Sequence, residues 1–179
     1  MLYKTKYISI ITESGNPYTV ADLPNKEEAA KILEQLDYYA VDVLRELKLA
    51  IARGDDLGSR LYFANNLIYK YNPDVLHESS PVGTDDTSYV MGKGDSLFIC
   101  LRWEDSPHEF HDFSLLQYVM LHEMTHIGSV EYGHEKEFWG NFKWLLQFVY
   151  KLGKYTPVDY NKYPVEYCGM HLNSNSFYQ

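Results

Sequence analysis

Leu121-His122-Glu123-Met124-Thr125-His126, followed by Gly133-His134-Glu135-Lys136-Glu137-Phe138-Trp139, is the stretch on which the reading of this chain turns. Residues four apart lie on one face of a helix, so the imidazoles of His122 and His126 reach a single ion at the roughly 2.0–2.1 Å of a zinc–nitrogen bond. Glu123, one step round the helix, does not easily share that ion. It is placed instead to take a proton from water, the general-base role this H-E-x-x-H pattern assigns. The set points to a zinc-dependent peptide hydrolase with His122 and His126 as metal ligands and Glu123 as the catalytic base.

The flanking residues strengthen that reading. Phe113-Ser114-Leu115-Leu116-Gln117-Tyr118-Val119-Met120-Leu121 is apolar on most sides, with Asp112 or Ser114 as N-cap and Ser114-x-x-Gln117 spaced as a capping box. The motif therefore sits in a largely buried helix, where two imidazoles and a carboxylate are costly to desolvate unless paired or bound to metal. The bland alternative is a satisfied histidine pair in the core with Glu123 in a salt bridge elsewhere. A catalytic zinc has three protein ligands and one open position, and His134 is the candidate third. Gly128 and Gly133 bracket Ser129-Val130-Glu131-Tyr132, supplying a helix stop and a chain reversal. Glu131 is the main competitor, and Glu135 or Glu137 compete from the next helix, where acids in a first turn also suit the helix dipole. Metzincin spacing is excluded, because Ser129 and Tyr132 stand where that group has Gly and His.

A chain of 179 residues, 45% hydrophobic and 23% charged, suits one soluble domain spanning residues 1–179. Residues 1–15 alternate polar and apolar side chains without the apolar core of a signal peptide, and no stretch approaches a membrane span. An intracellular location, cytoplasmic or nuclear, is expected. Cys100 and Cys168 are too few for a disulfide scaffold and are expected as free thiols; Cys168-Gly169-Met170-His171 reads as packing rather than half of a second metal site. A net charge of −9 argues against direct nucleic-acid binding, which rests on Lys and Arg neutralising phosphates.

Along the chain, residues 5–11 read as a strand and residues 18–21 as its partner. Asn25 and Glu28 are spaced as a capping box, and apolar residues recur at helical spacing from Lys26 to about Arg53, where Gly54 ends the segment. A second helix over about 57–71 stops before Asn72-Pro73. Both helices are expected to cover a sheet. Residues 74–86 read as loop, and 87–91 and 96–102 as strands joined through Gly92-Lys93-Gly94. The strand at 96–102 is a candidate edge for pairing with an extended peptide, the alternative being an internal strand. A helix over about 135–152, closed by Gly153, should pack on the motif helix, and the Tyr-rich residues 154–179 are expected to wall the cleft.

From Phe98 to Trp139 the chain resembles the WLM and SprT-like zinc metallopeptidases, through His122, Glu123, His126, Gly133-His134 and Phe138-Trp139. Ile99-Cys100-Leu101-Arg102 and Tyr167-Cys168-Gly169-Met170 are similar to WLM-type proteins of large DNA viruses. The resemblance implies an α+β, gluzincin-like zincin domain with a small mixed sheet packed on helices that include the motif helix. It also implies zinc held by three histidines, and proteolysis, in some members of proteins crosslinked to DNA. This chain has no basic stretch and little sequence after its core, so DNA targeting would come through a partner. The expected substrate is a polypeptide, with no membrane involved. Tyr132, Tyr160, Tyr163, Tyr167 and His171 are candidates for steadying the oxyanion. Two rival readings remain open: a zinc-stabilised peptide-binding module without catalysis, and a zinc amidohydrolase of small substrates.

Overall fold

Strand β1 (Tyr7–Ile11) turns at Gly15 into the antiparallel β2 (Pro17–Ala21), with Ile8 opposite Val20 and Ile10 opposite Tyr18. The computed structural model describes residues 5–79 and 88–179. Helix α1 (Lys26–Arg53) follows as expected, burying Leu33, Leu36, Ala40, Val43 and Leu47 against the sheet. Gly54 ends it in the left-handed conformation at φ 76°, and the Asp55 N–H reaches back to the Ala50 carbonyl at 3.0 Å. The expected capping box at the other end does not form. Asn25 is itself left-handed, φ 61°, a geometry that turns its side chain away from the helix amides, and Nδ2 donates to the His108 carbonyl at 3.0 Å instead.

The second helical segment is a 3-10 turn (Gly58–Arg60) running into α2 (Leu61–Lys70). Its main contacts are with the motif helix and α1 rather than with the sheet, which corrects the expectation for this segment. Gly128 makes that approach possible: a Cβ there would lie 2.5 Å from the Phe63 ring.

Residues 76–79, expected as loop, form strand β3 (Leu76–Ser79). The pattern hides it because the strand buries a charge. Glu78 and Arg102 are both fully buried, joined Oε1 to Nε at 2.5 Å, while the Ala21 N–H donates to the other Glu78 oxygen at 2.8 Å. Arg102 Nη1 also donates to the carbonyls of Pro24 and Pro107. The remainder of the expected 74–86 loop beyond Ser79, and Thr87 of the expected 87–91 strand, lie outside the described residues.

Strands β4 (Tyr89–Met91) and β5 (Ser96–Cys100) complete a mixed five-stranded sheet in the order β1-β2-β3-β5-β4. Strand β5 runs parallel to β3 and antiparallel to β4, so the stretch proposed from sequence as a peptide-binding edge is internal, and the edge belongs to β4. Helix α3 (Phe113–Gly128) carries the H-E-x-x-H motif, and α4 (Lys136–Lys151) packs on it, with Gly153 at φ 71° just beyond its end. Helix α3 starts one residue ahead of Ser114 with Asp112 as N-cap, and neither the Ser114–Gln117 box nor a side-chain cap forms.

The chain ends in a hairpin of β6 (Val165–Tyr167) and β7 (Met170–Leu172), turned by Cys168 and Gly169 at φ 47° and 79°. Cys168 is joined to Cys100 of β5 as a disulfide across 68 residues, which corrects the expectation of free thiols. Spacing in sequence gave no hint that hairpin and sheet bring these two together. The architecture is α+β. Among the described residues no helix is long and apolar enough to cross a membrane.

Candidate metal centre and catalytic site

Helix α3 presents His122 and His126 on its open face and turns Glu123 inward, where it is only 3% exposed. The helix stops at Gly128, the chain runs extended through Ser129, and Gly133 at φ 83° reverses it so that His134 comes back over the helix. His134 Nε2 then lies 3.0 Å from Nε2 of His122 and 3.1 Å from Nε2 of His126. Among the described residues these three form the cluster whose donor atoms could hold a metal ion, and none of Glu131, Glu135 and Glu137 joins it.

Glu137 has another task. Its carboxylate accepts the N–H groups of Val130 and Glu131 at 2.8 and 3.0 Å, pinning the loop that leads to His134. Lys93, at the tip of the β4–β5 hairpin, holds the same loop from the other side. Its ammonium donates to the carbonyls of His126 at 3.0 Å, Ser129 at 2.8 Å and Glu131 at 2.5 Å, and lies over the Tyr132 ring. It thereby satisfies carbonyls at the C-terminal end of α3, where a cation also suits the helix dipole. Sequence reading took Gly92-Lys93-Gly94 as a turn and missed this role. The one available signal was a long cation between two glycines; in the structure all three residues have positive φ. Below the cluster Phe138, fully buried, packs on His126 at 4.3 Å between ring centres, and the Trp139 ring stacks on His134 at 5.4 Å.

The electrostatics follow from burial. His126 is pushed down to about 4 by desolvation, then by His134 and Lys93. His122 is held well below the ordinary imidazole range by burial and by its two histidine neighbours, and burial also lowers His134. All three rings are therefore neutral at pH 7, with lone pairs available to a cation. Burial alone pushes the Glu123 carboxyl up to about 8, and its Oε2 is buried without a hydrogen-bond partner. A divalent cation beside it would favour the carboxylate and bring that value down.

Two cavities meet at these residues. One of about 270 Å³ is bordered by Tyr89 and Val90 of the sheet edge, Lys93 and Tyr132. The other, of about 500 Å³, extends under Trp139 toward the β6–β7 hairpin. Both include His122, Glu123 and His134 in their walls. Of the five side chains considered for the oxyanion, Tyr132 and Tyr167 border these cavities. The Tyr167 hydroxyl is already engaged, 2.7 Å from both the Cys100 carbonyl and Ser88 Oγ. Tyr160 packs in the core against Tyr118, Tyr163 is 70% exposed outside both cavities, and His171 pairs with Glu166. Residues of the C-terminal segment do wall the larger cavity, as expected.

No family model matches the chain. Two crystal structures of Wss1 from Saccharomyces cerevisiae, one of them a mutant, share its fold. Their TM-scores are 0.53 and 0.51 at 18% identity, covering 76% and 75% of this chain and 92% and 89% of theirs. In sequence the chain is 34% identical over 163 residues to the uncharacterized protein R325 of Acanthamoeba polyphaga mimivirus, covering 90% of this chain and 80% of that protein. Identity at that level over most of both chains means that this chain belongs to the same family as mimivirus R325.

Proposed function

We propose that the protein is a zinc metallopeptidase of the WLM and SprT-like kind, with His122, His126 and His134 as metal ligands and Glu123 as general base. The observation that carries this reading is the convergence of three imidazole nitrogens beside a buried carboxylate that has an unpartnered oxygen. The residues fit a zinc ion. Nitrogens at roughly 2.0–2.1 Å from one tetrahedral ion stand roughly 3.3–3.4 Å apart, close to the separations of 3.0 and 3.1 Å here. Three neutral imidazoles with a fourth side open to a cavity is the donor set of a catalytic rather than a structural zinc. The likeness of fold to Wss1 and the motif resemblance agree with it.

A zinc ion bound there would supply Lewis-acid polarisation of the substrate carbonyl and acidify the attacking water. Glu123 takes the proton of that water on a carboxylate oxygen and delivers it to the departing amine nitrogen. Its burial and a bound cation act on it in opposite directions: burial raises its proton affinity, which helps it accept the proton, and the cation lowers it, which helps it release the proton again. The two cavities that meet at the histidines leave the site open along the sheet-edge strand β4 on one side and toward the β6–β7 hairpin on the other, a space long enough for a polypeptide, which favours it over a small amide.

The test is cleavage of an unfolded protein panel by metal-loaded protein, with and without chelator and DNA. Chelator-sensitive fragments that vanish in Glu123→Gln, with metal content retained, support the proposal; turnover falls by about 100-fold or more when such a base is lost. Unchanged cleavage in that variant overturns the role of Glu123, and binding without cleavage by the wild type favours a peptide-binding module. Stimulation by DNA in this partner-free assay would favour DNA-associated proteins as substrates and overturn the expectation, drawn from the net charge of −9, that targeting to DNA needs a partner.

A further inference from the structure

The larger of the two cavities at the histidine cluster has walls of one chemical character. Tyr118 and Val119 form its floor, each one helical turn before His122 and Glu123 on α3. Trp139 overhangs it from α4, and Tyr167, Met170 and Leu172 of the β6–β7 hairpin make the far wall. Ser174, Ser176 and Gln179, with uncharged side chains, close the end. Apart from Glu123 and the histidines themselves, no described side chain bordering this space is ionisable at neutral pH.

From these walls we infer that the cavity is the specificity pocket of the site and receives a large, uncharged apolar side chain of the polypeptide next to the bond being cut. The inference rests on the metallopeptidase reading and names which polypeptides it takes. Three observations carry it. The pocket is continuous with the reacting centre, sharing His122, Glu123 and His134 with the cavity on the sheet-edge side, so a chain lying across the histidines necessarily passes its mouth. Its volume of about 500 Å³ lies in the range of ligand pockets and accommodates a Leu, Met or Phe side chain together with its backbone. Among the described residues, the lining beyond Glu123 and the histidines offers a charged side chain no ionised partner, and a charge desolvated without one is strongly disfavoured, whereas an apolar group gains by leaving water.

The far wall is fixed to the rest of the site. Tyr167 hydrogen-bonds to the Cys100 carbonyl, and the disulfide joins the hairpin turn to β5, so the pocket has a defined width instead of a mobile flap. Met170, 56% exposed at the mouth, is the position where substitution alters the lining with least disturbance of the core.

The experiment uses zinc-loaded full-length protein and a set of peptides differing at one position, occupied by Phe, Leu, Gly, Asp or Lys. Cleavage next to Phe or Leu should exceed cleavage next to Asp or Gly by about 10- to 100-fold in kcat/KM, the factor expected for burying one large apolar side chain. Met170→Glu should shrink that preference and raise cleavage next to Lys. In parallel, calorimetry with zinc-loaded Glu123→Gln measures binding of the same peptides without turnover. Cleavage with no preference among the five overturns the pocket while leaving the metallopeptidase reading intact. If nothing is cleaved yet the Phe and Leu peptides bind selectively and Met170→Glu removes the selectivity, the pocket stands and the hydrolase reading falls. Equal binding of all five would overturn the pocket in that case as well.

Discussion

Lys93 Nζ lies 3.0 Å from the carbonyl oxygen of His126, so the tip of the β4–β5 hairpin grips the residue that also offers its imidazole to the metal cluster. The same ammonium holds Ser129 and Glu131 in the loop that returns His134 to the site. Lys93→Met removes three acceptor contacts and should lower zinc affinity by about 10- to 100-fold, the usual effect of losing support behind a ligand. Lys93→Arg, which keeps the cation, should recover part of it. Competition against a chromophoric chelator measures both, and an unchanged affinity in Lys93→Met would show that the contacts of Glu137, Asn141 and Asn66 hold the loop without it.

Acid should unsettle the metal-free protein through its histidines. Folded His126 is pushed down to about 4 and His122 and His134 are also lowered, whereas unfolded imidazoles titrate near about 6.5. Between those values the unfolded chain binds more protons. Stability from this source is therefore fully present above pH ~6.5 and is lost as pH falls toward about 4. Glu123, raised by burial, has the opposite sign, so the comparison belongs in a Glu123→Gln background. There the urea midpoint should fall between pH 7 and 5, and adding His126→Gln should flatten the slope. Equal slopes would contradict burial of a neutral cluster.

The Glu78–Arg102 pair predicts an asymmetry. Both side chains are wholly buried, and Arg102 is bound also to Pro24 and Pro107, tying the sheet to the entry of α1 and to the segment before α3. Arg102→Met strands a buried carboxylate and should cost about 3–5 kcal/mol in chemical denaturation. Glu78→Leu combined with Arg102→Met should recover much of that loss, because the stranded charge is gone. A double variant no more stable than Arg102→Met would place the energy in Arg102's carbonyl contacts instead.

Reduction of Cys100–Cys168 should release the hairpin from β5. Closing a loop of 68 residues stabilises by about 4 kcal/mol in the chain-entropy account, an upper value given residual order in unfolded chains. Denaturation with and without a reductant reads the difference. A Cys100→Ser, Cys168→Ser variant should match the reduced protein and be indifferent to the reductant.

Much of this arrangement was legible in the residues because it is periodic or punctuated. Helix α1 was bounded by its apolar spacing and Gly54, and the histidine trio by the motif and by Gly128 and Gly133. What was not legible depends on partners distant in sequence. Strand β3 is only four residues long and contains a glutamate that becomes intelligible once Arg102 is seen beside it. The order of β4 and β5 in the sheet, and hence which of them stands last in it, follows from a parallel pairing of β5 with β3 that no local pattern announces. Two cysteines 68 positions apart carry no sign of meeting until the hairpin is placed on the sheet. Asn25 misled for a local reason: its type suits a cap, but its left-handed backbone sends the amide to His108.

The indole of Trp139, stacked on the His134 ring at 5.4 Å, gives the molecule a built-in optical probe. Trp103 packs on His111, and Trp144 on Phe63 and Phe148, so their emission serves as an internal reference. Loading cobalt(II), whose unpaired electrons drain excited states at short range, should dim the Trp139 component selectively. Occupancy of the centre could then be followed in real time, without a labelled substrate.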